Sequence, residues 1–175
     1  MQLLRKLKFI VLLVLMASAT LSCQSQEPAP IKWMSFEEAV AASGKNPKKL
    51  FIDVYTEWCG WCKKMDKSTF ADPAVAYYIN EHFYPVKLDA ETKDTIRFRE
   101  QVFVFEPQYK ANTLAASLLG GKMGYPSYVI LDEKFALVTQ PLQGYMTTTQ
   151  IMPTLRYYAE NIYKEKTWEE FESGK

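Results

Sequence analysis

Two cysteines two residues apart, Cys59-Gly60-Trp61-Cys62, stand just after a compact apolar run from Lys49 to Tyr55 (KLFIDVY). No other feature constrains the fold as much. The run has the length of a buried strand. A helix that starts at the motif carries positions i and i+3 on one face, so the two sulfurs meet. A disulfide across so short a loop adds little stability, because that contribution grows with loop length. Its purpose is therefore chemical. Cys59 falls at the helix N-terminus, where unpaired N–H groups and the helix dipole favour an anion. Lys63 and Lys64 add positive charge. Both effects favour the thiolate, which is the nucleophile of disulfide exchange. Cys62, one turn further in, is expected to be sheltered and to attack the mixed disulfide, releasing the client.

Other uses of the motif fit less well. Haem attachment requires a histidine after the second cysteine, and Lys63 stands there. A structural zinc site takes four ligands. With Cys59, Cys62 and the single histidine, His82, the fourth would have to be a carboxylate, and His82 reads as a residue closing a helix. No metal and no cofactor beyond the cysteine pair is expected. A spent, unreactive pair is the remaining alternative.

The third cysteine, Cys23, belongs to a different segment. Arg5, Lys6 and Lys8 precede an apolar run from Phe9 to Ala17, and small residues follow. These are the parts of a secretory signal. The run is shorter than the about 20 apolar residues of a lasting membrane span. It is apolar all round, with no polar side to mark a surface helix. Thr20-Leu21-Ser22-Cys23 resembles a bacterial lipoprotein box, in which the cysteine becomes the lipidated first residue, although Thr20 occupies the place usually held by leucine. Ala17-Ser18-Ala19 offers an ordinary signal-peptidase site instead. Lipidation is favoured, because a lone exported cysteine invites unwanted pairing. The expected organisation is a signal peptide over 1–22, a polar, proline-bearing tether over 23–32 and one domain over 33–175. The protein is then exported to the periplasm or cell envelope and held on the membrane by a lipid anchor. Of its 175 residues 48% are apolar, enough for a core, and 21 basic against 20 acidic side chains give no electrostatic reason to expect nucleic acid as a partner.

Local signals place the remaining elements. Ser35 and Glu38 form a capping box for a short helix that Gly44 ends. Asp72-Pro73 restarts a helix after the motif helix, whose end is expected near Phe70; the second one runs to about His82. Tyr84 to Leu88 reads as a strand. Ile96 and Phe98 alternating with arginines, followed by Val102 to Phe105, predict a β-hairpin within 94–109. A helix follows over 112–119, ended by Gly120-Gly121. Strands are expected over 128–131 and 136–139, joined at Asp132-Glu133-Lys134. Thr147 and Gln150 cap a long final helix with Ile151, Leu155, Tyr158 and Ile162 on one side. Strands alternating with helices predict an α/β fold, a central sheet covered by helices on both faces.

The stretch FIDVYTEWCGWCKKM resembles the active-site segment of the thioredoxin superfamily. Its continuation, STFADPAVAYYINEHFYPVKLDAE, is similar to thioredoxin-like domains typified by the C-terminal domain of the membrane thiol:disulfide interchange protein. The resemblance covers roughly residues 33–163 and implies a thioredoxin fold with a mixed sheet. The chain departs from it in Gly60-Trp61, where thioredoxin has Gly-Pro, and in the 94–109 insertion. The resemblance implies that Asp53 is the family's buried aspartate and Lys87 its lysine partner. An acid within LFIDVY is costly to bury unless paired, and burial raises its pKa. Such a group can accept the proton of Cys62. An edge-strand Asp53 facing water is the alternative. Gly124-Tyr125-Pro126-Ser127 matches the cis-proline loop, which implies a cis bond at Pro126 and a client segment pairing with the Tyr125 backbone. Trp58, Gly60 and Trp61 complete the implied client surface, although either tryptophan can equally belong to the core. Gly144 falls where the family often has glycine.

Together these readings describe a thiol–disulfide oxidoreductase that reduces protein disulfides and is itself reduced by an upstream thiol donor. An oxidase or isomerase is the alternative within the class. A non-catalytic binding lipoprotein is the alternative outside it.

Overall fold

The structure is a computed structural model that describes residues 29–174. The signal segment, Cys23 and most of the tether lie outside the described residues. Helix α1 (Phe36–Lys45) begins at the expected capping box: Ser35 Oγ accepts from the Glu38 N–H at 3.2 Å, and the Glu38 carboxylate accepts from the Ser35 N–H at 2.8 Å. It runs through Gly44 and ends on Asn46. Strand β1 (Lys49–Tyr55) leads into α2 (Gly60–Lys67), which stops three residues short of Phe70. Helix α3 (Pro73–His82) is capped by Asp72, whose Oδ1 accepts from the Ala74 and Val75 N–H groups, and strand β2 (Phe83–Asp89) follows directly. Two small hairpins come next, β3 (Ile96–Phe98) with β4 (Gln101–Phe103), then β5 (Phe105–Glu106) with β6 (Ala111–Asn112). The first is the expected hairpin. Helix α4 (Thr113–Leu118), strands β7 (Ser127–Leu131) and β8 (Leu142–Gln143), helix α5 (Thr148–Ala159), a 3₁₀ turn (Ile162–Lys164) and helix α6 (Trp168–Ser173) complete the chain.

The central sheet has the order β2-β1-β7-β8, with β1 parallel to β2 and antiparallel to β7. Alternation along β1 assigns its side chains to two cores. Leu50, Ile52 and Val54 pack with Phe36 and Ala39 of α1 and Leu114, Ala115 and Leu118 of α4. Phe51 faces the other way, with Met65 of α2, Val75 and Ile79 of α3, and Ile151 and Leu155 of α5. Helices therefore cover both faces. Strand β1 is buried along its length up to Tyr55, so Asp53, on the Phe51 side, is enclosed.

Further differences from expectation lie in the C-terminal third. The strand expected over 136–139 is displaced to Leu142–Gln143. Asp132 Oδ1 accepts from the Lys134 and Ala136 N–H groups and holds a tight turn, with Phe135 at φ 66°. Beyond it the chain touches β7 only through the isolated Leu131–Leu137 bridge and the Val138 N–H bond to Ile130 O, and regular pairing resumes past Pro141. The last long helix ends at Ala159 instead of Ile162, because Asn161 takes a left-handed φ of 60°. Helix α6 was not anticipated, although Thr167 and Glu170 form a capping box at its start. Its Trp168 and Phe171 pack on Tyr157 of α5.

Candidate active site

Cys59 is the N-cap of α2. Its N–H donates to Thr56 O at 3.1 Å, and its Sγ accepts from the Cys62 N–H at 3.0 Å. A sulfur placed there meets the helix N-terminal field, the local arrangement that stabilises a thiolate. The two cysteines form a disulfide with Cα atoms 5.3 Å apart. In this oxidised state both are covered, Cys59 at 3% exposure and Cys62 at 2%.

Aromatic side chains border the pair. Trp58 and Trp61 are 67% and 57% exposed, so neither belongs to the core. Trp58 meets Tyr125 edge-on at 5.8 Å and donates its indole N–H to Glu91 at 3.0 Å. Trp61 contacts Tyr145 at 5.7 Å, and the Lys64 ammonium sits 4.8 and 5.0 Å from the centres of these two rings. The Tyr125–Pro126 bond is cis. Its loop is tied by Ser127 Oγ donating to Gly124 O at 2.5 Å and by the Gly144 N–H donating to Pro126 O at 2.9 Å. Gly144 has φ +95°, a conformation that glycine adopts without steric cost. Gly60 is exposed at the first position of α2, with nothing within 4 Å of where a Cβ would lie.

Beneath this surface lies an ion cluster, buried at Asp53 and partly exposed at Lys87 and Asp66. Asp53 is 1% exposed, which removes the edge-strand alternative. Asp53 and Lys87 are register partners on β1 and β2, and Lys87 Nζ donates to Asp53 Oδ2 at 2.6 Å. The same ammonium also bonds Asp66 of α2 and lies 5.0 Å from the ring centres of both Trp33 and Tyr55. Burial pushes the Asp53 carboxyl up to about 6, against the downward pull of Lys87 and with a smaller upward contribution from Asp66. The cluster thus holds a carboxylic acid whose proton is exchangeable near neutrality.

Sequence reasoning missed Asp66, Glu91, Tyr145 and Tyr128. Only Asp66 left a local signal: it follows Cys62 by four residues and so shares its helix face. Cys23 lies outside the described residues. His82 ends α3 with its ring 4.2 Å from that of Tyr78.

A mixed β2-β1-β7-β8 sheet with helices on both faces, and a Cys-x-x-Cys pair at a helix start, together define a thioredoxin-like protein. More particularly, the chain belongs to the Thioredox_DsbH family, described as a protein of unknown function, DUF255, whose profile matches residues 13–165. It is 30% identical over 111 residues to an uncharacterized protein of Caenorhabditis elegans, covering 63% of this chain and 14% of that protein. It is 40% identical over 40 residues to the thiol:disulfide interchange protein DsbD of Pectobacterium atrosepticum, covering 23% of this chain and 7% of that protein. The matches thus span only a small part of these relatives. Among solved structures, a DsbH oxidoreductase superposes with a TM-score of 0.55 at 17% identity, covering 79% of this chain and 92% of that one.

Proposed function

We propose that the protein is a thiol–disulfide oxidoreductase that reduces protein disulfides in a bacterial cell envelope, tethered there through a lipidated Cys23. The observation that carries the chemistry is the Cys59–Cys62 pair at the α2 N-terminus, bordered by exposed tryptophans and backed by the buried Asp53. In the reduced protein the Cys59 thiolate attacks one sulfur of a client disulfide. A mixed disulfide forms and the other client sulfur leaves as a thiolate. Cys62 gives its proton to Asp53 and attacks Cys59 Sγ, which expels the second client thiolate and closes the Cys59–Cys62 disulfide. Two electrons have passed to the client, and an upstream dithiol restores the pair. Trp58, Gly60, Trp61, Tyr125 and Pro126 form the surface on which an extended client segment lies, and Lys87 holds Asp53.

The balance of charge supports the reducing direction. Whatever stabilises the thiolate makes the disulfide more oxidising. No histidine stands between the cysteines, and Lys64 is held over the Trp61 and Tyr145 rings. Glu57 and Asp53 add negative charge, which raises a thiol pKa. These terms support a potential nearer the about −270 mV of thioredoxin than the about −120 mV of DsbA. The envelope assignment is supported by the basic, apolar and small-residue sequence ending at Cys23.

The test is equilibration of the purified protein with glutathione buffers, together with dithiol-dependent reduction of a protein disulfide. A potential above about −180 mV sinks the reductase reading in favour of an oxidase or isomerase. Absence of any turnover sinks both.

A further inference from the structure

Tyr128 is a buried phenol that the chemistry above does not use. It stands on β7 directly opposite Asp53 of β1 in an antiparallel ladder, so the two side chains share one face of the sheet. Its ring is stacked on Phe51 with centroids 5.9 Å apart and meets Phe70 edge-on at 6.0 Å. The Tyr128 hydroxyl and Asp53 Oδ1 are both buried, and among the described residues neither has a hydrogen-bond partner. One is a donor. The other is an acceptor whose need is greatest when the carboxylate is charged.

The charged and titratable groups around this pair are otherwise engaged. Lys87 of β2 bonds Asp53 Oδ2 and Asp66 of α2. Tyr145, ahead of α5, bonds Ser68, and Tyr55 of β1 meets Glu57. The Cys59–Cys62 disulfide has no proton to give. Thr56 Oγ1, just past β1, is the one other buried side-chain hydroxyl left without a partner among the described residues.

We infer that Tyr128 is a positioning residue for Asp53: its hydroxyl donates to Oδ1 through one enclosed water whenever that carboxylate is charged. The inference rests on the reading of Asp53 as the proton acceptor of Cys62. A hydrogen bond to the charged form lowers a carboxyl pKa, so the phenol holds the Asp53 titration lower than burial and its charged neighbours alone would set it. Burial and the nearby Asp53 and Asp66 charges hold the phenol's own pKa above its ordinary value. It therefore stays a donor at physiological pH and does not act as a base.

The Asp53 titration is followed in the oxidised protein by ¹³C carboxyl NMR and assigned by its loss in Asp53→Asn. Tyr128→Phe removes one oxygen and should raise the midpoint by about one pH unit, a tenfold gain in proton affinity. In the reduced protein, the pH dependence of mixed-disulfide resolution should move with it. 3-Fluorotyrosine at position 128 keeps the packing and strengthens the donor, so it should lower the midpoint. It also decides the matter if Tyr128→Phe does not fold. An unchanged midpoint in these variants overturns the inference. So does a rise in Thr56→Val, which would assign the donor to Thr56. Because the titration is read without a client, the functional reading can fail in the turnover assay while this pairing stands.

Discussion

Replacing Asp53 by asparagine should stabilise the protein at neutral pH, and by an amount that depends on pH. The asparagine side chain occupies the space of the neutral acid at every pH. The folded-state pKa is raised from an ordinary 3.8 to about 6, mainly by burial. Below pH 3.8 the acid is protonated in both the folded and unfolded states and the full stability is present. Between 3.8 and about 6 the folded state holds a proton that the unfolded chain has lost. Stability therefore falls as pH rises through this window, by about 3 kcal/mol in total, since one pKa unit corresponds to about 1.4 kcal/mol. The variant escapes that loss. It should exceed the wild type by about 3 kcal/mol at about pH 7.5, or about 6–12 °C in Tm for a chain of this size, with the gain vanishing toward about pH 4. The Lys87 ion pair opposes this, but its attraction is already contained in the net upward shift. Denaturant unfolding of the oxidised protein at a series of pH values gives the comparison. The reasoning is refuted if the variant is less stable at about pH 7.5, which would mean that the ion pair outweighs burial. A difference that stays constant between about pH 4 and 7 refutes it too.

Lys87→Met removes the cation from a buried carboxylate and should move the Asp53 titration further above about 6. Each additional unit costs about 1.4 kcal/mol above the new midpoint and almost nothing at about pH 4; equal destabilisation at both ends of the pH range would show lost packing alone. Cys62→Ser should accumulate mixed disulfides with client proteins on non-reducing gels, while Cys59→Ser should trap few; the reverse pattern would exchange the two roles. Cys23→Ser should release the protein from the membrane fraction into the soluble fraction, and a mature N-terminus at Thr20 would count against lipidation.

What the sequence determined by itself was local. The apolar run before Cys59, the Ser35–Glu38 and Thr147–Gln150 boxes, the Asp72-Pro73 start and the β3–β4 hairpin depend on neighbours a few residues apart. The Thr167–Glu170 box is equally local. The resemblance added Asp53 with Lys87 and the cis bond at Pro126, and the structure places them so. Tertiary structure alone decided which groups meet across the sheet. A tyrosine within an apolar strand reads as core; only the β1–β7 register sets Tyr128 opposite Asp53. Nothing in the spacing of Trp58, Glu91, Trp61 and Tyr145 announces their contacts, because these depend on how separate loops close over one helix start. Propensity and capping act through adjacent backbone groups. The pKa of a buried acid is set by whatever charge and low-dielectric matter surround it, wherever in the chain they come from.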